Sequence, residues 1–191
     1  MLMIDLFSGT GGASQAMQDA GWTTVRIDMS SSARPDVRAD VNHLPLKRSL
    51  KPDLLWMSPP CTEFSDARPG PRDPPSMELV IACIRTIVDL RPRFWIIENV
   101  RGALPWLGLA PRSFGPFYLW GYFPPIGGQL RRGAKHTATV RSAKERGRIP
   151  YQLSNAVRLS IETYAGRCMP QRPTKQRRTL PQLFRYYEED R

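Results

Sequence analysis

Cys61 lies in the stretch Ser58-Pro59-Pro60-Cys61-Thr62-Glu63-Phe64-Ser65, directly after the apolar run Leu54-Leu55-Trp56-Met57. The run reads as a short buried strand, and two prolines stop it and stiffen the loop that presents the sulfur. A thiol so placed is a nucleophile candidate, because thiolate attack becomes effective wherever a helix amino terminus or an arginine depresses the pKa. The alternative for a lone cysteine is a small hydrophobe in the core, the role expected of Cys83 on the apolar side of a helix. Three further polar groups occupy comparable places. Glu98 and Asn99 follow the apolar run Phe94 to Ile97, Asp28 follows Thr23 to Ile27, and Ser8-Gly9-Thr10-Gly11-Gly12 follows the opening run MLMIDLF. Together they are a chemical set: a nucleophile, a carboxyl group that can carry a proton, and a glycine turn where a ligand can approach the backbone closely.

For these groups to meet, the runs before them must be neighbouring parallel strands, since ligands bind outside the carboxyl ends of an open α/β sheet. The strand Met1 to Phe7, the glycine turn and a helical pattern with Ala13, Ala16, Met17 and Ala20 on one face form the first unit of such a sheet. Ser14 stands where the third glycine of the dinucleotide fingerprint would fall, so a cofactor without a pyrophosphate fits better than NAD. Asp28 is either a turn former or an acid for ribose hydroxyls, and its position relative to the glycine turn favours the second. Val37 to Val41 is a short third strand that carries Asp40 toward the adenine end of the same ligand, or a plain turn aspartate. Residues 66 to 75 read as a loop suited to cover a substrate. A helix is expected from Ser76 to Leu90, with Leu79, Cys83, Ile84, Ile87 and Leu90 inward. Residues 101 to 133 are irregular around one strand, Phe117 to Trp120. A last helix follows Ile149-Pro150 to about Tyr164, packing through Leu153, Val157, Leu159 and Ile161. The expected fold class is α/β, Rossmann-like and mostly parallel, with helices on both faces and a small irregular basic insertion. The chain divides into a core over residues 1–100, an irregular basic region over 101–147, a helix over 148–166 and a basic tail over 167–191.

At 191 residues the chain fits one domain, and 28 Lys and Arg against 17 Asp and Glu give a net charge of +11. That excess points to a polyanionic partner, most often nucleic acid, and residues 131–148, dense in Lys and Arg, suit a phosphate-tracking surface. Three cysteines without a CxxC pair argue against a disulfide framework and for a reducing, cytoplasmic setting. Neither His43 nor His136 stands at metal-ligand spacing from a cysteine, so no metal is expected. No apolar run reaches the roughly twenty residues of a membrane span.

With these residues in view, the chain resembles the DNA cytosine-5 methyltransferases. Asp5-Leu6-Phe7-Ser8-Gly9-Thr10-Gly11-Gly12 is similar to the family's first motif, Pro59-Pro60-Cys61 with Phe64-Ser65 to its catalytic motif, and Glu98-Asn99-Val100 to its glutamate motif. Gln152-Leu153-Ser154-Asn155-Ala156-Val157 resembles its closing motif. The resemblance implies the sheet of an S-adenosylmethionine-dependent methyltransferase. It also implies that the cofactor is held by Phe7, Gly9, Thr10, Gly11 and Gly12, with Asp28 on the ribose, Met29 and Asp40 near the adenine, and Pro59 and Asn155 completing the pocket. It further implies Cys61 as the nucleophile toward cytosine carbon 6, Glu98 on ring nitrogen 3, a base flipped out of double-stranded DNA, and DNA contacts from Ser65 and Arg68.

This sequence departs from the family pattern at Thr62, where glutamine is frequent, and at Met29, where a larger aromatic is common. It has no clear copy of the glutamine-arginine motif, for which Arg141, Arg146 or Arg148 would substitute. Between Val100 and Arg148 there is little room for a recognition region, so the expectation is a site of about two to four base pairs or a protein partner that reads the sequence. Such economy suggests a prokaryotic, phage or mobile-element origin. The alternatives are a methyltransferase of RNA cytosine, a catalytically silent DNA-binding relative, and a thiol enzyme of unrelated chemistry.

Overall fold

The structure, a computed structural model, describes residues 1–65, 74–127 and 147–168. Among these residues the elements, in chain order, are β1 (Leu2–Leu6), α1 (Gln15–Asp19), β2 (Thr23–Asp28), β3 (Val37–Arg38), β4 (Leu54–Met57), α2 (Glu78–Leu90), β5 (Phe94–Asn99), α3 (Leu104–Leu107), β6 (Arg112–Phe114), β7 (Phe117–Tyr122) and α4 (Tyr151–Cys168). The described strands form one seven-stranded sheet in the order β3-β2-β1-β4-β5-β7-β6. Strands β1 to β5 pair in parallel, whereas β7 runs antiparallel to both β5 and β6. A parallel half whose strand order reverses at β1, followed by one inverted strand, is the expected methyltransferase sheet.

The central strands are apolar along their whole length because both faces are covered. All four residues of β4, Leu54, Leu55, Trp56 and Met57, are buried. On one face Met3, Leu54, Trp56, Phe94 and Ile96 pack with Ala16 and Met17 of α1 and Leu153, Val157 and Ile161 of α4. On the other, Ile4, Leu6, Val25, Ile27, Leu55, Met57 and Ile97 pack with Val80, Cys83 and Leu90 of α2. Cys83 is therefore core, and burial pushes its thiol up to about 12.

Several elements differ from the sequence expectation. Helix α1 is only five residues long, because the glycine turn runs through Ser14 and Gly21, at φ 77°, stops the chain soon after; Ala20 is exposed. Strand β3 ends at Arg38, since Asp40 accepts the Asn42 amide through Oδ1 at 2.9 Å and caps a 3-10 turn, Val41–His43. A short aspartate side chain that bonds its own backbone competes with strand pairing. The buried face of α2 runs through Val80, Ala82, Cys83, Thr86 and Leu90, while Ile84, expected inward, is exposed together with Ile81 and Val88. Thr86 is accommodated in the core because its hydroxyl donates to the Ala82 carbonyl at 2.9 Å. Leu159 of α4 is likewise exposed. Strand β6 has no counterpart in the sequence pattern, and β5 continues through Glu98 and Asn99 rather than ending before them.

Candidate active site

Strand register determines which side chains meet. Asp5 of β1 lies between Arg26 of β2 and Trp56 of β4, and Trp56 lies beside Ile96 of β5. Two residues further on, the same face of β2 and β5 carries Asp28 and Glu98 at the carboxyl edge, and Ser58 follows the end of β4 between them; Phe7, whose φ of 57° breaks the alternation, packs instead with the face of Ile4 and Leu6.

The glycine turn is built from left-handed backbone: Phe7, Gly9 and Gly11 have φ of 57°, 48° and 78°. Asp28 closes it by accepting the Gly9 amide on Oδ2 at 2.9 Å and the Ser30 amide on Oδ1 at 2.8 Å. At Gly12 a Cβ would lie 2.6 Å from the Ile149 carbonyl oxygen and 3.0 Å from Arg148 Cγ, so only glycine lets the 148–149 segment cross here. Arg148, read from the sequence as a DNA contact, is thus placed against the cofactor turn. Beneath the turn Asp5 is fully buried, neither carboxyl oxygen has a well-formed hydrogen bond, and the Ser8 hydroxyl is also unpartnered. Burial pushes Asp5 up to about 7, tempered by the neighbouring Ser14 hydroxyl and the Arg26 charge. A Cβ at Gly9 would meet nothing within 4 Å. An open backbone face, acceptor oxygens beside it and a buried acid below fit a cationic nucleoside cofactor such as S-adenosylmethionine.

At the neighbouring strand end, Pro60 leads into the 3-10 turn Cys61–Glu63, and buried Phe64 anchors it by donating its amide to the Cys61 carbonyl at 3.0 Å. Asn99, fully buried, donates from Nδ2 to the Pro59 carbonyl at 3.1 Å and so ties the cysteine loop to β5. Cys61 is half-buried; burial raises its thiol pKa, and the charge of Glu98 adds to the rise. Glu98 is buried, and desolvation pushes its carboxyl up to about 7 against the lowering effect of a hydrogen bond from Ser58. The negative charge of Glu98 is one cause of the rise at Cys61, so a neutral Glu98 eases ionisation of the thiol.

The remaining sequence-derived positions are dispersed. Met29 is 67 % exposed, although Arg38 Nε holds its carbonyl at 2.9 Å; Thr10 is exposed, and Asp40 is occupied as a cap. Asn155 accepts on Oδ1 from Arg158 Nε at 3.1 Å and Nη2 at 2.8 Å, whereas buried Ser154 joins α4 to α1 by accepting the Ala16 amide at 3.3 Å. Ser65 lies at the border of the described residues; Arg68, Arg141 and Arg146 fall outside them. Sequence reasoning assigns no role to Ser58, Asp5 or Ser154. The available signal is a polar residue directly after or within an otherwise apolar run. Among the described residues no cluster of His, Cys, Asp or Glu could hold a metal ion, and no helix is long and apolar enough to cross a membrane.

The model of the C-5 cytosine-specific DNA methylases matches residues 1–105, more than half of the chain. The chain belongs to that family. The chain is 31% identical over 117 residues to a probable DNA (cytosine-5)-methyltransferase of Frog virus 3, covering 52% of this chain and 53% of that protein. It is 29% identical over 127 residues to the type II methyltransferase M.AquIA of Picosynechococcus, covering 54% and 50%. The chain thus spans about half the length of these two curated relatives. Among solved structures it is similar to the S. pombe Dnmt2 methyltransferase, at 21% identity and a TM-score of 0.37 over 55% of this chain and 36% of the other.

Proposed function

We propose that this methylase transfers the methyl group of S-adenosylmethionine to carbon 5 of cytosine in DNA, with Cys61 as nucleophile and Glu98 as the acid. The observation that carries the reading is the placement of a half-buried thiol within electrostatic reach of a buried, proton-holding carboxyl, beside a glycine turn closed by Asp28. The cofactor, when bound, supplies an electrophilic methyl group on a sulfonium. Phe7, Gly9, Thr10, Gly11 and Gly12 would hold it, with Asp28 toward the ribose, Met29 and Asp40 toward the adenine, and Pro59 and Asn155 at the pocket wall.

Cytosine carbon 5 is too weak a nucleophile to take a methyl group unaided. Cys61 Sγ bonds to carbon 6 as Glu98 gives its proton to ring nitrogen 3, and the displaced π electrons form an enamine between carbons 4 and 5. Carbon 5 of that enamine is the nucleophile for the methyl group that the cofactor would supply, its sulfur leaving with the bonding pair. Removal of the carbon 5 proton by a base expels the Cys61 thiolate, restores the ring double bond and returns the nitrogen 3 proton to Glu98. Because carbon 6 is buried in stacked DNA, the base must leave the helix first. Ser65 and Arg68 would line the loop that covers it. Arg141 and Arg146 would contact the backbone or the target base, consistent with a net charge of +11, while Arg148 lies against the glycine turn. The family match stops at residue 105, and β6 and β7 occupy part of the chain beyond it. Residues 101–147 would therefore hold a reduced recognition region, read over a short site or completed by a partner.

Methyl transfer from labelled S-adenosylmethionine to unmethylated duplex DNA, read by bisulfite sequencing, tests the proposal. The wild-type protein is expected to label cytosine carbon 5 and to be trapped covalently on 5-fluorocytosine DNA. Cys61→Ala is expected to lose about 10⁴-fold or more of the rate. A folded, cofactor-binding wild-type protein that labels RNA, or nothing, overturns the assignment.

A further inference from the structure

We propose that Ser58 is a positioning residue for the transfer reaction. Its hydroxyl accepts the Trp56 indole N–H and thereby turns its own proton onto Glu98, which decides which carboxyl oxygen is left to meet the substrate. This role rests on the methyl-transfer reading of the site.

Donor and acceptor capacity constrains the arrangement. An indole nitrogen can only donate, a hydroxyl has one proton and two lone pairs, and a protonated carboxyl has one acceptor oxygen and one donor oxygen. Trp56 is fully buried in the layer between the sheet and the α1–α4 face, where its N–H has no route to water. Its Nε1 donates to Ser58 Oγ at 3.0 Å. That contact leaves the serine proton to point elsewhere, and Glu98, which follows Ile97 on the neighbouring strand, is the acidic group whose pKa that hydroxyl lowers. Register brings the two residues side by side: Trp56 pairs with Ile96 and Met57 with Ile97, and Ser58 and Glu98 are the next residues of the two chains. Asn99 clamps the same two strand ends through the Pro59 carbonyl at 3.1 Å.

The consequence for Glu98 is geometric as well as electrostatic. In the neutral acid, the oxygen that accepts from Ser58 is the carbonyl oxygen, so the proton resides on the other one. A buried ring thus sets a hydroxyl, and the hydroxyl orients the acid. Loss of the serine proton would let the carboxyl rotate and would leave it less able to hold negative charge, because a hydrogen bond to the charged form lowers a carboxyl pKa. Arrangements of this kind contribute through orientation of the reacting group rather than through contact with the substrate.

The test compares wild type with Ser58→Ala, Ser58→Thr and Trp56→Phe. Two measurements are made: kcat for methyl transfer at pH 6, and the titration of the Glu98 carboxyl carbon by ¹³C NMR in the cofactor-free protein, assigned with Glu98→Gln. In Ser58→Ala the Glu98 titration is expected to move to higher pH and kcat to fall about tenfold, with the KM for DNA unchanged. Ser58→Thr, which keeps the hydroxyl, restores both, and Trp56→Phe gives a smaller loss because the serine proton is no longer held in one direction. A Glu98 titration in folded Ser58→Ala that coincides with the wild type overturns the proposal, as does a Ser58→Thr variant as impaired as Ser58→Ala. If the wild-type protein transfers no methyl group to DNA while the Glu98 titration still responds to Ser58→Ala, the relay stands and the DNA reading falls.

Discussion

Asp28 and Glu98 end strands of one sheet and lie in the same row of its carboxyl edge, yet the molecule equips them differently. Asp28 is partly exposed, and each of its oxygens accepts a backbone amide, from Gly9 and from Ser30. Glu98 is buried beneath the cysteine loop, has the Ser58 hydroxyl as a side-chain partner, and is pushed up to about 7. The first environment makes an acceptor of fixed direction; the second makes a carrier for one proton near neutrality. Two carboxyl groups separated by their surroundings can divide binding from acid catalysis on one scaffold.

If that division holds, the two groups fail in different ways. The largest effect belongs to Glu98→Gln, which keeps the shape but cannot give up a proton: kcat is expected to fall by about 10² to 10⁴, with the Kd for S-adenosylmethionine unchanged by calorimetry. Asp28→Ala should do the reverse, weakening cofactor affinity by about ten- to a hundredfold, as loss of a hydrogen bond to a charged group does, while kcat at saturating cofactor stays within a few-fold of wild type. Should both variants change the same parameter, the two ends of the sheet are not functionally divided.

The smallest effect sharpens the comparison by adding a third carboxyl, Asp5, which is buried under the glycine turn. Its folded-state pKa of about 7 lies above the ordinary 3.8, as that of Glu98 lies above 4.5. Between those limits the folded protein binds more protons than the unfolded chain. Stability is therefore greatest below this window and falls as pH rises toward 7, by up to about 1.4 kcal/mol per pH unit for each group. Asp5→Asn removes one of the two contributions. Its Tm is expected to match the wild type near pH 3, below the ordinary Asp value, and to exceed it by a growing margin as pH rises through 5 to 8. A variant less stable at both ends of that range would show that Asp5 is held by its neighbours in the charged form.

Much of this arrangement is legible in the chain because it depends on local order. Apolar runs followed by Gly9, Asp28, Cys61 and Glu98 announce strand ends, and covered parallel strands must be apolar throughout. Properties that depend on what packs against an element were not legible. Three isoleucines and two valines on α2 permit more than one inward stripe, and it is the sheet's own side chains that leave Ile84 outside while Thr86 goes in. Strand β6 contains only Arg112, Ser113 and Phe114, too short for any period, and exists because β7 offers it an edge. Asp40 could equally end a strand or cap a turn, and the Asn42 amide decides.

The sequence alone therefore determined the order of the strands, the groups at their ends and the excess of positive charge, because these depend on residue type and spacing. Only the tertiary structure decided that β4 and β5 bring Ser58 beside Glu98, that Gly12 lies under Ile149, and that Ser154 joins the last helix to the first. Each joins residues from different elements, and their distances are set by register and by helix placement, which no local pattern encodes.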